Sequence, residues 1–209
     1  MQNIKNIIFD LGGVLIDLDF KRTFAAFKAL GFGNIEELYG QHHASKVFKD
    51  LEKGLITEEE FRNGLRKYLP NGVTDKEIDA AWCSLILDFR MESFLYLNEL
   101  EKQYKIYLFS NTSSIHYRFF SAKFPEGSGK ASLEEHFSKT WYSHLIHQRK
   151  PELESYQFIL QDAGLNPAET LFIDDTSENV DAAIKTGIRS LLLPKGERVE
   201  NYLTSSNSI

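Results

Sequence analysis

Two apolar runs, far apart in the chain, end in carboxylates. Ile7-Ile8-Phe9 leads into Asp10, and Leu171-Phe172-Ile173 leads into Asp174-Asp175. Burying a carboxylate is costly unless it is paired or holds a metal ion. Asp10 is therefore a candidate nucleophile or metal ligand, since an aspartate can attack phosphorus and form an aspartyl phosphate. That chemistry needs a nearby cation, because nucleophile and phosphate are both anions. Asp10, Asp174 and Asp175 offer carboxylates with no histidine or cysteine. Such a donor set suits a hard ion such as Mg2+ better than zinc. Each acid taken singly is as readily a loop or helix-cap residue, and for Asp17 and Asp19 that plainer reading is preferred.

Two further groups complete the set. Ser110-Asn111-Thr112 follows an apolar run at 105–109. A hydroxyl followed by helix-start amides suits a phosphate oxygen, although such a tripeptide alone is more often a turn or N-cap. Lys150 precedes Pro151, which is suited to the first position of a helix. There the ammonium can neutralise a phosphate, while a lone lysine in that setting is ordinarily a solvated charge. The histidines (His42, His43, His116, His136, His144 and His147) show no zinc-type spacing, and the His42-His43 pair is read as facing solvent.

The elements that must position these groups can be read from periodicity. Short apolar runs at 6–9, 105–109, 170–173 and 190–193 have the character of parallel strands covered on both faces, with an aromatic-rich run at 140–143 as a further candidate. Helical patterns at 91–103, 114–122, 152–163 and 178–186 alternate with them. Gly164 and Gly187 stand where helix C-caps are expected. Strand–helix alternation predicts an α/β fold with a doubly wound, Rossmann-like parallel sheet, whose C-terminal edge is the place for a site. The stretch from 18 to 89 breaks the rhythm. It contains no convincing buried strand and reads as helices at 22–30, 35–51, 57–68 and 74–87. Thr57 and Glu60 have the spacing of a capping box. The expected organisation is a core of 1–17 and 90–209 with a small helical insert at 18–89.

Composition narrows the classes. The chain has 209 residues, of which 42% are hydrophobic, enough for one medium domain or a domain with an insert. A net charge of −6 with mixed signs gives no basic footprint for nucleic acid. Cys83 is the only cysteine, so no intrachain disulfide exists. The apolar runs are too short to span a membrane, and the first residues lack a signal-peptide pattern. A cytoplasmic protein is expected.

In this order, the segments resemble the haloacid dehalogenase superfamily. They are Phe9-Asp10-Leu11-Gly12-Gly13-Val14, Leu108-Phe109-Ser110-Asn111, Arg149-Lys150-Pro151 and Phe172-Ile173-Asp174-Asp175-Thr176-Ser177-Glu178-Asn179. The resemblance covers nearly the whole chain, and the insert looks like the helical C1 cap of that superfamily. The motifs look most like the subgroup with bacterial glucose-1-phosphate phosphatase and the phosphatase half of soluble epoxide hydrolase. It implies Asp10 as nucleophile, Ser110 and Asn111 as holders of the phosphoryl group, and Lys150 as its charge stabiliser. It also implies a Mg2+ bound by Asp10, Asp175 and the Gly12 carbonyl, with Asp174 reached through water and Asn179 supporting Lys150 or the metal site. Most phosphatases of this superfamily carry a second, acid–base aspartate two residues after the nucleophile. Here that position is Gly12.

The expected activity is hydrolysis of a small phosphorylated metabolite, a sugar phosphate for preference. The alternative is a phosphate- or metabolite-binding module with little turnover because of Gly12. Carbon–halogen hydrolysis through an aspartyl ester is a third reading, but it has no use for a metal and hence for the Asp174-Asp175 pair.

Overall fold

The computed structural model describes residues 3–40 and 46–205, so the His42-His43 pair lies outside the described residues. Among these, the strands are β1 (Asn6–Phe9), β2 (Ile16–Leu18), β3 (Ile86–Phe89), β4 (Lys105–Ser110), β5 (Lys139–Tyr142), β6 (Thr170–Asp174) and β7 (Arg189–Leu192). The helices before β3 are α1 (Phe20–Ala29), α2 (Ile35–Gly40), α3 (Lys46–Glu52), α4 (Glu58–Arg66) and α5 (Asp75–Cys83). After it come α6 (Met91–Leu100), α7 (Ser114–Ser121), α8 (Ser143–Ile146), α9 (Leu153–Ala163), α10 (Ser177–Lys185) and α11 (Val199–Ser205). None of the described helices is long and apolar enough to cross a membrane.

β1 and β4–β7 form one parallel sheet in the order β5-β4-β1-β6-β7. Side chains alternate across a strand with period two, and the core divides accordingly. Ile7, Phe9, Ile106, Leu108, Leu171 and Ile173 pack on one face with Phe94 of α6, Ile115 of α7 and Val199 of α11. Ile8, Tyr107, Phe109 and Phe172 pack on the other with Tyr156 of α9 and Ala183 of α10. This is the doubly wound α/β sheet expected from the buried runs. Gly164 caps α9 in the left-handed region at φ 61°, where a residue without Cβ is unstrained.

The segment that ends in β3 corrects the sequence reading at its C-terminal end. The helix expected at 74–87 ends at Cys83, and Ile86–Phe89 is a strand that pairs antiparallel with Ile16–Leu18. The apolar run Leu85-Ile86-Leu87 fits a helix face and a strand equally well. The partner strand decides between them. The helix expected at 35–51 is described as α2 and α3, with 41–45 outside the described residues. Elsewhere, Pro151 precedes α9 instead of opening it, because Glu152 is the N-cap. The Thr57–Glu60 capping box forms as expected, and Thr74–Glu77 makes a second one at the start of α5.

Tyr39, Phe48, Phe61 and Trp82, one from each of α2–α5, meet in an aromatic cluster, with Phe48 and Trp82 centroids 4.9 Å apart. His116 of α7 stacks on Trp82 at 4.5 Å and 21°. Its Nε2–H donates to the Trp82 carbonyl at 3.0 Å, which places the ring proton on that nitrogen. The stack ties these four helices to a helix that covers the sheet.

His116 is buried, and burial pulls its pKa down to about 4 despite the Trp82 hydrogen bond and Asp79. The unfolded chain, near 6.5, binds the proton more readily, so stability is full above pH 6.5 and is lost as pH falls towards 4. A difference of that size corresponds to roughly 3 kcal/mol. His116→Phe is expected to flatten the pH dependence of stability between pH 6.5 and 4, read by urea unfolding across that range. An unchanged slope would remove His116 as the titrating group.

Candidate active site

From β1 the chain winds outward through β4 to β5, then returns to β6 on the other side of β1. Open α/β sheets bind ligands at the carboxyl ends of strands beside such a reversal. The register pairs Phe9 with Ile173, and the Asp10 amide donates to the Ile173 carbonyl at 2.9 Å. Asp10 and Asp174 therefore leave the sheet side by side. One carboxylate oxygen each from Asp10, Asp174 and Asp175 lies within 4.8 Å of the others.

Lys150 crosses into this cluster from the loop before α9. Its Nζ is 2.6 Å from Asp10 Oδ1 and 2.7 Å from Asp174 Oδ2, and the residue is 1% exposed. The ammonium also lies 5.3 Å and 5.4 Å from the ring centroids of Phe109 and Phe172, close enough for cation–π attraction. Asn111 fixes the backbone of the same residue. Its Nδ2 donates to the Lys150 carbonyl and its Oδ1 accepts from the Lys150 amide, both at 2.9 Å. Ser110 ends β4 as a buried residue, and the next turn is strapped down by Ser143, whose Oγ accepts from the Thr112 amide.

Asp174 is fully buried and heavily engaged. It accepts from Lys150, from the Thr176 amide at 2.8 Å and, on both oxygens, from Asn179 Nδ2 at 3.0 Å. Asn179 thus acts on Asp174. Burial raises the Asp10 carboxyl well above the usual range. Lys150 pulls it down, and Asp174 and Asp175 push it up again. Burial also works against the Lys150 ammonium, but Asp10 and Asp174 outweigh it and hold its pKa above the ordinary lysine value. Three carboxylates thus face one ammonium. A divalent oxygen-seeking cation is the natural complement to that charge and donor set. Gly13 makes room for the Asp175 carboxylate: at φ 72°, a Cβ there would lie 2.0 Å from Asp175 Oδ2. A residue with a side chain would push that carboxylate out of the cluster.

Other groups considered from sequence fall elsewhere. Asp19 is the N-cap of α1, accepting from the Lys21 amide, and Asp17 pairs with buried Arg90. Both are structural, as expected. Arg90 also donates to the carbonyls of Val14 and Glu197, which commits it to the β2–β3 junction. Gly12 has no side chain, and a Cβ there would meet Leu18 Cδ1 at 2.7 Å.

A cavity of about 80 Å³ lies next to the cluster. Gly12, Ser110 and Asn111 line one side, and Tyr39, Glu52 and Trp82 of the helical segment line another. Glu52 pairs with Arg149 at 2.8 Å, beside Lys150. Single-sequence reading missed Gly13, Glu52 and Trp82. Gly13 was visible as the second glycine after Asp10. Nothing in sequence marked the other two, because only the packing of α3 and α5 brings them to the cavity.

Comparison with known proteins agrees with this geometry. The haloacid dehalogenase-like hydrolase family matches residues 4–187. D-ribitol-5-phosphate phosphatase of Bacteroides thetaiotaomicron is 30% identical over 201 residues, covering 96% of this chain and 97% of that protein. A haloacid dehalogenase family enzyme from the same organism was solved as an aspartate-to-alanine mutant with magnesium and inorganic phosphate. It superposes with a TM-score of 0.90 at 40% identity, covering 96% of this chain and 98% of that one. A haloacid dehalogenase-like hydrolase from Porphyromonas gingivalis gives a TM-score of 0.89 at 33% identity and 99% coverage of both chains. Matched over most of its length, and with acids, lysine and serine converging at the reversal of its sheet, this chain belongs to the haloacid dehalogenase-like hydrolase family.

Proposed function

We propose that this protein is a magnesium-dependent phosphatase that cleaves a small phosphorylated sugar or sugar alcohol through an aspartyl phosphate on Asp10. Residues 18–89 are the cap, and 1–17 with 90–209 the catalytic core. The observation that carries the reading is the buried Lys150 ammonium between Asp10 and Asp174, with Asp175 completing the acid cluster. Carbon–halogen hydrolysis would use the aspartate nucleophile but has no use for a metal, and hence for the Asp174-Asp175 pair. The relatives support the finer reading, since one is a D-ribitol-5-phosphate phosphatase and another was solved with magnesium and phosphate.

Phosphoryl transfer is mostly positioning and charge stabilisation. Asp10 attacks phosphorus, and the bond to the leaving oxygen breaks with its electron pair. That oxygen takes a proton from water. Lys150 offsets charge on the phosphoryl oxygens, and the Ser110 hydroxyl with the Asn111 backbone amide holds them. The Asn111 side chain serves by fixing Lys150. Water then attacks the aspartyl phosphate, releasing orthophosphate and restoring the Asp10 carboxylate. A magnesium ion held by Asp10, Asp175 and the Gly12 carbonyl, with Asp174 reached through water, would supply the positive charge that lets Asp10 ionise and the phosphate approach.

Phosphate release from a panel of sugar and sugar-alcohol phosphates, with magnesium or with chelator, tests the reaction. Activity is expected only with magnesium, and Asp10→Asn should lower kcat by at least ~10³-fold, as loss of a nucleophile does. Tight binding without release, from a folded protein, would instead favour the binding-module reading that Gly12 allows.

The metal assignment has its own readout. At about 100 times its Kd, magnesium should raise unfolding stability by about 2.7 kcal/mol. Asp175→Asn should lose most of that gain in thermal melts. If the variant keeps the full magnesium response, Asp175 is not a ligand.

A further inference from the structure

The oxygen of a sugar or sugar alcohol departs as a poor alkoxide unless it is given a proton. No side chain can give one from Gly12. The cavity next to Gly12 does hold a carboxyl group. Among the described residues that line it, Glu52 is the only acid, and it shares that space with Gly12, Ser110 and Asn111. The other titratable groups there are poorly suited. Burial takes the His116 pKa to about 4, and its Nε2–H is spent on the Trp82 carbonyl, so the ring stays neutral near pH 7. Burial pushes the Tyr39 phenol well above its ordinary value, which makes it a reluctant donor.

Glu52 is the last residue of α3, and Arg149 holds it in place. The Arg149 Nε and Nη2 both donate to its Oε2, at 3.1 Å and 2.8 Å, which leaves Oε1 outside the ion pair. The side chain is 13% exposed, so the carboxyl is confined without being sealed off. Burial raises its pKa above the ordinary glutamate value, while Arg149 and, more weakly, Lys49 pull it down. Burial thus favours the protonated form and Arg149 the ionised one. A group that gives a proton and later retakes it needs both within reach. Arg149 immediately precedes Lys150, so the same pair fixes Glu52 relative to the ammonium that offsets phosphoryl charge.

We propose that Glu52 is the acid–base group of this site, filling the role that Gly12 cannot. This rests on the phosphatase reading. Its proton passes through one water in the cavity to the leaving oxygen, as the bond from phosphorus to that oxygen breaks with its electron pair and Asp10 becomes phosphorylated. Transfer through a single water is within the reach of a general acid. The Glu52 carboxylate then takes a proton from the water that attacks the aspartyl phosphate. Orthophosphate is released, and the Asp10 carboxylate and the Glu52 acid are both restored.

The test compares wild type and Glu52→Gln on ribitol 5-phosphate and on acetyl phosphate, with magnesium, reading kcat/KM for phosphate release. Ribitol needs a proton to leave, whereas acetate does not. Glutamine keeps the size of the side chain and an oxygen for Arg149 but cannot titrate. Glu52→Gln is expected to lower kcat/KM for ribitol 5-phosphate by about 10²–10⁴-fold, and for acetyl phosphate by a factor at least ~10-fold smaller. A role confined to holding Arg149 and Lys150 would weaken both reactions alike, because both present the same phosphoryl group. Equal losses, or no loss, overturn the proposal. If the variant does not fold, wild type decides with ethyl phosphate and its fluorinated analogues, which differ in leaving-group acidity at nearly constant size. With an acid in place, kcat/KM should vary little along that series, and a steep rise with acidity overturns the proposal. Failure of folded wild type to release phosphate even from acetyl phosphate would defeat the phosphatase reading and the proposal with it. Release with equal losses defeats the proposal alone.

Discussion

A buried ammonium between two buried carboxylates is the constraint that organises this molecule. Lys150 touches Asp10 at 2.6 Å and Asp174 at 2.7 Å with almost no exposure. Removing one partner from such a set leaves an uncompensated charge, which typically costs 3–5 kcal/mol. Replacing the whole set by apolar groups is often neutral or stabilising, so its presence is weak evidence of a stability role. Three carboxylates against one lysine leave the set short of positive charge. One bound dication would offset that excess, and it would also give an incoming phosphate a positive partner.

Much of the nearby structure serves to hold that set in place. The parallel register puts Asp10 beside Asp174, and Asn179 saturates the Asp174 oxygens so that their direction is fixed. Asn111 clamps the Lys150 backbone from the neighbouring strand end. The helical segment reaches the same loop through Glu52–Arg149 and Lys53–Glu152, and through the Lys53 carbonyl, which accepts from His147. The helices that line the cavity are thus bonded to the loop that delivers the lysine. The cavity on one side and the charge centre on the other share one scaffold.

The parts legible in sequence were those with local causes. The strands of the sheet are short apolar runs, and their ends are marked by Asp10, Ser110 and Asp174. Glycine and a capping box mark helix ends at Gly164 and Thr57. The rest is tertiary. Ile86–Phe89 is a strand because Ile16–Leu18 lies beside it, and no periodicity over four residues can report that. Asn111 reads as a phosphate contact by position, yet its side chain is spent on the Lys150 backbone, 39 residues away.

Gly12 joins packing to rate. Its place is where a second aspartate would protonate the leaving group, and the space for a Cβ there is taken by Leu18, whose Cδ1 would be 2.7 Å away. Leu18 belongs to β2, whose partner β3 follows α5, the helix that brings Trp82 to the cavity. The missing acid is therefore built into the junction between helices and sheet, and restoring it requires Leu18 to yield. General acid–base assistance is typically worth about 10²–10⁴ in rate. Lys150, Ser110 and the acid cluster do not depend on that position. On the proposed reading those groups still hold a phosphoryl group, while departure of a poor alkoxide would be left to solvent and to groups within the cavity.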